Sequence, residues 1–485
     1  MISLGCALCR RELLRVFPPQ SMRKISSERI AKIGRAREIA FDVLLRVETR
    51  EAFSDDLLHA RLEERVSAMD AALSMELTLG TLRWQKLLDF LIDRALAKSG
   101  ERLDAQVRIA LRLGLYQLRF LDKIPARAAV NGSVELIKRS QKRSAASLVN
   151  AVLRRLAEGD PKKDAESFIA QDCSITERLG IIYSHSAWLV ERWIAAFGVE
   201  RTKALLEANN RPARTACVVL DLQQRVDVIG ELEGAGLAVR PGALLREALI
   251  VSGGAPTRAN GYRNGEISLL DEASQAIAFL VGAQKGQSVL DLCAAPGGKT
   301  TLLARAAGAE GKVTACDIYA HRLRAVEEQM KRTCAKNVTT IALDGTKPLP
   351  FDAEFDRVLV DAPCSGTGTL SPHPEIRWRL RLEDLDDLHS RQVRLLRNAL
   401  SAAKRGGIIV YSTCSLEAEE NEMVVREAIE GLAEYRILNA KERILPHLVE
   451  GLSADDVVDA SGFFRTFPPR SGTDGFFAAV VERSS

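Results

Sequence analysis

The sequence has no apolar run approaching the ~18 residues that a bilayer-spanning helix needs. That absence excludes a helical membrane anchor from the reading. Nor is there a dense cysteine framework, since nine cysteines are scattered over 485 residues. A disulfide-stapled secreted domain is therefore excluded, and free thiols in a reducing, cytoplasmic compartment are expected. Cys6 and Cys9 form a lone C-x-x-C, and no second pair with ligand spacing follows. A structural zinc site takes about four ligands, so no metal is expected. The opening MISLGCALCRRELLRVFPPQ carries its charges after a short apolar stretch, the reverse of a signal peptide. Met22, followed by RKISSERI, reads as an alternative start, and residues 1–22 are expected to be a disordered extension. Internal repeats and low-complexity tracts are missing too. So is a large net charge: 68 Lys and Arg against 64 Asp and Glu leave +4.

What is present exceeds one ordinary domain in length. The 46% apolar share suffices for packed cores, and the 27% charged share is ordinary. The basic residues are unevenly spread. Between Arg108 and Arg155 eleven Lys and Arg face only Asp122 and Glu135, a local +9. Such a stretch suits a phosphate backbone. Within it Lys138, Arg139, Lys142 and Arg143 form the densest cluster and are the candidate nucleic-acid-binding residues.

Residues 30–157 carry helical spacing throughout, as in IGRAREIAFDVLLRVE, AALSMELTLGTLRWQKLLDFLIDRAL and AQVRIALRLGLYQLRFL. An all-α bundle is expected there. AEGDPKKDAES, residues 157–167, reads as a linker. Residues 170–265 begin with helices and continue with short β-like runs, TACVVLDL and ALIVSGG, around a helix. They suggest a small α+β domain. From 266 to 485 strand-like and helical runs alternate, the pattern of a parallel α/β sheet of Rossmann-like kind. Ligands in such sheets bind outside the carboxyl ends of the strands.

The first of these strands runs into DLCAAPGGKTT, Asp291–Thr301. Its small residues let a ligand approach the backbone, and Lys299 and Thr300 then open a helix. A nucleotide-triphosphate loop needs glycine at position 293, which is Cys293 here. The G-x-G-x-x-G of a dinucleotide fold is absent. A third reading is S-adenosylmethionine, a nucleoside cofactor without pyrophosphate. Asp317 ends the second strand, where an acid accepts from ribose hydroxyls. Asp344 ends the third, where an acceptor takes the adenine amino group, and Asp361 ends the fourth. A site rich in carboxylates suits a sulfonium cation.

Cys364 in DAPCSG and Cys414 in YSTCS follow two strand ends. Free cysteines are often buried as small apolar residues. A thiolate can also add to C6 of a pyrimidine, making C5 carbanion-like and able to accept a methyl group. Asp361 is placed to polarise the ring if it shares a proton. Pattern alone does not say which thiol attacks.

FDRVLVDAPCSG resembles the signature of the Nol/Nop/Sun cytosine-5 RNA methyltransferases. DLCAAPGGKT, YSTCSLEAEENE and GTDGFFAA are similar to the same family's cofactor loop, catalytic strand and last strand, in the same order. AFDVLLRVE, ELTLGTLRW, LRLGLYQLRFLDKIPARAAVNGSVELIK and LVNAVLRR resemble a NusB-like RNA-binding domain. The combination resembles the Sun-type bacterial small-subunit enzymes. It implies an S-adenosylmethionine-dependent enzyme acting on cytosine C5 of 16S rRNA, free or in an early particle, expected as a monomer. The resemblance further implies that Cys293, Ala294, Ala295, Pro296, Gly297, Gly298 and Lys299, with Asp317, Asp344 and Asp361, hold the cofactor. It makes Cys414 the nucleophile and Cys364 the residue that assists product release. Asp361 then activates the base and Lys299 orients the site. The sequence departs from the family pattern at Gly132, Ser186, Cys217, Val219, Leu270 and Ser471, none of which is expected to touch the chemistry.

Overall fold

The computed structural model describes residues 34–50, 53–62, 66–96 and 103–484. The expected extension at 1–22 and the Cys6/Cys9 pair lie outside them. The chain packs as two units. One runs to Asn210 and takes in Pro372–Arg379; the other comprises Arg211–Ser371 and Leu380–Ser485. No helix among the described residues is long and apolar enough to cross a membrane.

The first unit is helical. Arg35–Arg50, Ala68–Arg83 and Ala105–Phe120 form its centre. Asp104 caps the last of these by accepting from the amide of Gln106. That helix then buries Val107, Leu111 and Leu115. Tyr116 lies so close to Gly80 that a Cβ there would sit 2.1 Å from its ring, so only glycine allows this crossing. The run at 71–96 carries helical spacing throughout. It breaks at Trp84, whose ring stacks on Phe120 at 4.9 Å, into Ala68–Arg83 and Gln85–Ala95. The expected linker at 157–167 instead contains a helix, Pro161–Phe168. Asp160 accepts from the amides of Lys162 and Lys163, and Pro161 occupies the first helical position. Residues that suggested a break are a helix-start signal. Helices Ile175–Ile182, Ala187–Phe197 and Val199–Asn209 also belong to this unit.

The second unit holds two sheets. In the smaller, β1 (Thr215–Val219), β2 (Ala238–Pro241), β3 (Ala248–Ser252) and β4 (Ile267–Leu269) are ordered β2-β3-β1-β4, all antiparallel. Cys217 and Val219 face its core, with 0% and 3% exposure. The β2 and β4 strands were not anticipated; each is four residues or fewer, too short to show alternation.

The larger sheet contains β5 (Ser288–Asp291), β6 (Lys312–Asp317), β7 (Val338–Ala342), β8 (Phe355–Asp361), β9 (Ala403–Thr413), β10 (Tyr435–Leu438), β11 (Phe464–Arg465) and β12 (Phe477–Arg483). Its order is β10-β12-β9-β8-β5-β6-β7, with β11 beside β12. Strands β5 to β9 run parallel, and β12 lies antiparallel to β9 and β10. The inner parallel strands β5, β6, β8 and β9 bury apolar residues on both faces, which explains continuous runs such as VLV at 358–360, whereas the edge strand β7 has no buried residue. The expected α/β core is therefore a mixed sheet, with β10 and β11 added at its antiparallel end.

Candidate functional site

The order β9-β8-β5-β6-β7 places the carboxyl ends of five parallel strands along one edge. Asp291, Asp317 and Asp361 each close a strand, and Asp344 follows β7 by two residues. Thr300 donates to one Asp291 oxygen at 2.8 Å. The other, Oδ1, is buried without a hydrogen-bond partner among the described residues. Burial, reinforced by the charge of Asp361, pushes Asp291 up to about 7. Asp317 accepts from the Tyr319 amide at 2.9 Å and pairs with Arg322 at 3.4 Å. The hydroxyl of Thr346 donates to Asp344 at 2.6 Å and holds this carboxyl below its ordinary range.

Beside Asp291 and Asp361 lies a cleft lined by these two residues with Cys293, Ala294, Ala295, Pro296, Gly298 and Lys299. Gly297, Asp317 and Asp344 stand outside its lining. Leu270 also lines it, and a Cβ on Gly298 would meet that leucine at 3.0 Å. This departure from the family pattern therefore borders the cleft. The Lys299 ammonium reaches Asp361 at 2.7 Å and lies 5.3 Å from the Phe476 ring centre. Ser412 donates to the other Asp361 oxygen at 2.8 Å.

Two carboxylates face a single lysine that is already engaged with one of them. That charge balance fits a sulfonium and opposes a triphosphate. With a glycine cradle and an unpartnered buried carboxylate oxygen, the cleft fits S-adenosylmethionine. It does not fit the nucleotide-triphosphate alternative.

Beyond β8 and β9 the chain places Cys364 and Cys414 side by side, Sγ to Sγ at 3.3 Å. Register explains this: Asp361 pairs with Ser412, so both loops leave the sheet together. The Gly368 amide donates to the Cys414 carbonyl at 2.9 Å. The hydrogen bond to Cys414, with burial added, pushes the Cys364 thiol well up.

The sequence reading missed Glu420. Its carboxylate is fully buried beside the two thiol loops and accepts from Ser365, Ser415 and Gln392. Its position in the acidic run EAEENE suggests a solvated face, yet both it and Glu417 are buried.

The proposed RNA cluster lies in the first unit and is largely engaged. Lys138 pairs with Glu135, Arg139 with Glu38 and Lys142 with Asp104, at 2.6, 2.7 and 3.0 Å. Arg143 stands on a short 3₁₀ turn. The local +9 also overstates surface charge. Arg112 is buried against Asp89 and Glu48, and Arg119 against Asp164.

Three family models match the chain: the NusB family at residues 34–158, a ferredoxin-like domain of RsmF/B-like methyltransferases at 185–258, and 16S rRNA methyltransferase RsmB/F at 278–482. A Bacillus subtilis (strain 168) protein described as "Probable ribosomal RNA small subunit methyltransferase B" is 32% identical over 92% of this chain and 98% of its own. Ribosomal RNA small subunit methyltransferase B of Escherichia coli O1:K1 is 35% identical over 77% of this chain and 85% of its own. The crystal structure of PH0851 shares the fold, with a TM-score of 0.76 at 24% identity over 94% of this chain and all of that one. A helical NusB-like part, a small ferredoxin-like sheet and an α/β methyltransferase sheet thus follow one another along the chain. The chain belongs to the S-adenosylmethionine-dependent RsmB/F family of 16S rRNA methyltransferases.

Proposed function

We propose that the protein methylates C5 of a cytosine in 16S rRNA through a covalent cysteine adduct, acting in the cytoplasm as a monomer on free rRNA or an early small-subunit particle. The observation that carries this reading is the 3.3 Å contact between the Cys364 and Cys414 sulfurs beside a carboxylate-rich cleft. A helical module at 30–157 docks the RNA, an α+β module at 170–265 helps hold it, and residues 266–485 carry the chemistry. Lys138, Arg139, Lys142 and Arg143 contact phosphates.

The loop Cys293–Lys299, with Asp317, Asp344 and Asp361, holds the cofactor. S-adenosylmethionine supplies an electrophilic methyl group on a sulfonium. The target base, flipped out of its stack, meets Cys414. The Cys364 and Cys414 sulfurs lie 3.3 Å apart, close enough for the Cys364 thiol to hydrogen-bond the Cys414 sulfur as it attacks. Cys414 attacks C6. The Lys299 ammonium donates to Asp361 Oδ2 at 2.7 Å, and this pair supplies the proton that meets N3 and stabilises the charge that addition drives into the ring. C5 becomes the nucleophile and would take the methyl group, with the sulfonium sulfur departing as the neutral thioether S-adenosylhomocysteine. A base then removes the C5 proton, N3 gives back the proton it took, and expulsion of the Cys414 thiolate restores the C5–C6 double bond. Cys364 assists this elimination. Bisulfite mapping of 16S rRNA with and without the gene is the direct test. Loss of one 5-methylcytosine supports the reading, and an unchanged map refutes it.

A further inference from the structure

Past the ends of β8 and β9 little of the strand ladder continues. The Ala362 amide still reaches the Ser412 carbonyl at 2.8 Å; beyond it the Gly368 amide donates to the Cys414 carbonyl and the Leu416 amide to the Thr367 hydroxyl, each at 2.9 Å. Each cysteine is followed by a serine, Ser365 and Ser415, and the two serine hydroxyls lie 3.1 Å apart. One carboxylate takes both. The Ser365 amide donates to Glu420 Oε1 at 2.8 Å, and the Ser415 hydroxyl donates to Oε2 at 2.5 Å. The Ser365 hydroxyl also donates to Oε2. Gln392 completes the set, donating to Oε1 at 3.0 Å and to the Pro363 carbonyl at 2.9 Å.

Glu420 is itself fastened. The Tyr411 hydroxyl of β9 donates to its carbonyl at 2.6 Å. Its neighbour Asn421 accepts from Thr413 at 2.5 Å and donates to the Ser415 carbonyl at 3.0 Å. A fully buried acid is costly unless its oxygens are met by donors. Here every donor comes from a cysteine loop or from the helix Asp384–Ala402 that carries Gln392.

We propose that Glu420 is a positioning residue: it ties the Cys364 loop to the Cys414 loop and sets the spacing of the two thiols. It acts through Ser365 and Ser415, the residues that follow the two cysteines. Its effect on turnover rests on the covalent mechanism proposed above, whereas its effect on thiol spacing does not. A misplacement of about 1 Å at a reacting group costs ~10²-fold in rate, so loosening the tie is expected to slow both adduct formation and release.

The test compares wild type with Glu420→Ala and Glu420→Gln. The glutamine keeps an acceptor for the Ser365 amide and Gln392, and serine hydroxyls can accept from its amide. In the first arm, diamide oxidises the free protein. The Cys364 and Cys414 thiols lose two protons and two electrons to the reagent, which becomes the hydrazine. Mass spectrometry follows the Cys364–Cys414 disulfide. Glu420→Ala should form it at least ~10-fold more slowly, and Glu420→Gln within about 3-fold of wild type. In the second arm, methyl transfer to rRNA is measured. Glu420→Ala should lose kcat while KM for S-adenosylmethionine stays unchanged, and Glu420→Gln should recover most of it. Wild-type behaviour of Glu420→Ala in the disulfide arm overturns the proposal. If Glu420→Ala does not fold, Ser365→Ala/Ser415→Ala decides in its place, and the same slowing or its absence applies. Failure of wild type to form any 5-methylcytosine refutes the covalent mechanism and leaves the disulfide arm to judge the spacing.

Discussion

Lys299 and Asp361 meet at 2.7 Å across the cleft, joining the helix that opens after the glycine loop to the end of β8. The pair draws one residue from each of two motifs 62 positions apart. Replacing Lys299 by methionine leaves Asp361 with Ser412 as its remaining side-chain donor among these contacts. Methyl transfer should fall by ~10²-fold, the usual cost of removing one aimed charge-stabilising group. Single-turnover kinetics with saturating cofactor checks this.

The two cysteines should separate by phenotype. Cys414→Ala should abolish both methyl transfer and any covalent RNA adduct. Cys364→Ala should still add to the base and methylate it, then remain trapped on the RNA. Denaturing gels of enzyme with labelled rRNA show adducts directly. An adduct in the first variant, or none in the second, reverses the assignment.

Asp291 predicts a pH signature. Its folded value of about 7 lies above the unfolded carboxyl range. Between about pH 4 and 7 the unfolded chain gives up a proton that the folded protein keeps. The stabilisation is full below about pH 4, declines as pH rises and is gone above about 7. Asp291→Asn should flatten this slope. Thermal melts of both proteins across that range measure it.

Arg377 is 1% exposed within the first unit. It donates to the carbonyls of Arg83, Ser184 and Asn209 and to the Asn210 side chain, at 2.9 to 3.2 Å. Alanine there strands these acceptors and should cost ~3 kcal/mol. Lysine, lacking the planar fork, should restore only part of it. Denaturant titration gives the difference.

Charge reversal at Lys138, Arg139, Lys142 and Arg143 should weaken rRNA binding. Each lost phosphate contact lowers the slope of log affinity against log salt by about 0.7 to 0.9. Exposed ion pairs are worth at most ~1 kcal/mol, so Glu38, Glu135 and Asp104 are expected to yield to phosphate. Filter binding at several salt concentrations reads the slope. An unchanged slope rules this surface out.

By itself the sequence determined the strand and helix alternation after residue 266, the helical character of the first part and the family. Those features follow from local periodicity and from motifs in which each residue type has a direct chemical reason. It also placed Cys293–Lys299 and Asp361 at strand ends, where an α/β sheet gathers its ligands. Tertiary structure alone decided the rest. The sulfur contact depends on the register of β8 against β9, which brings together residues 50 apart. Much of the basic stretch is neutralised by acids outside it in sequence, such as Glu48, Asp89 and Asp164. Glu420 is indistinguishable in sequence from its acidic neighbours because its burial is a property of the loops that close over it. Local spacing encodes periodicity, whereas burial and pairing across the chain depend on which segments the fold brings together.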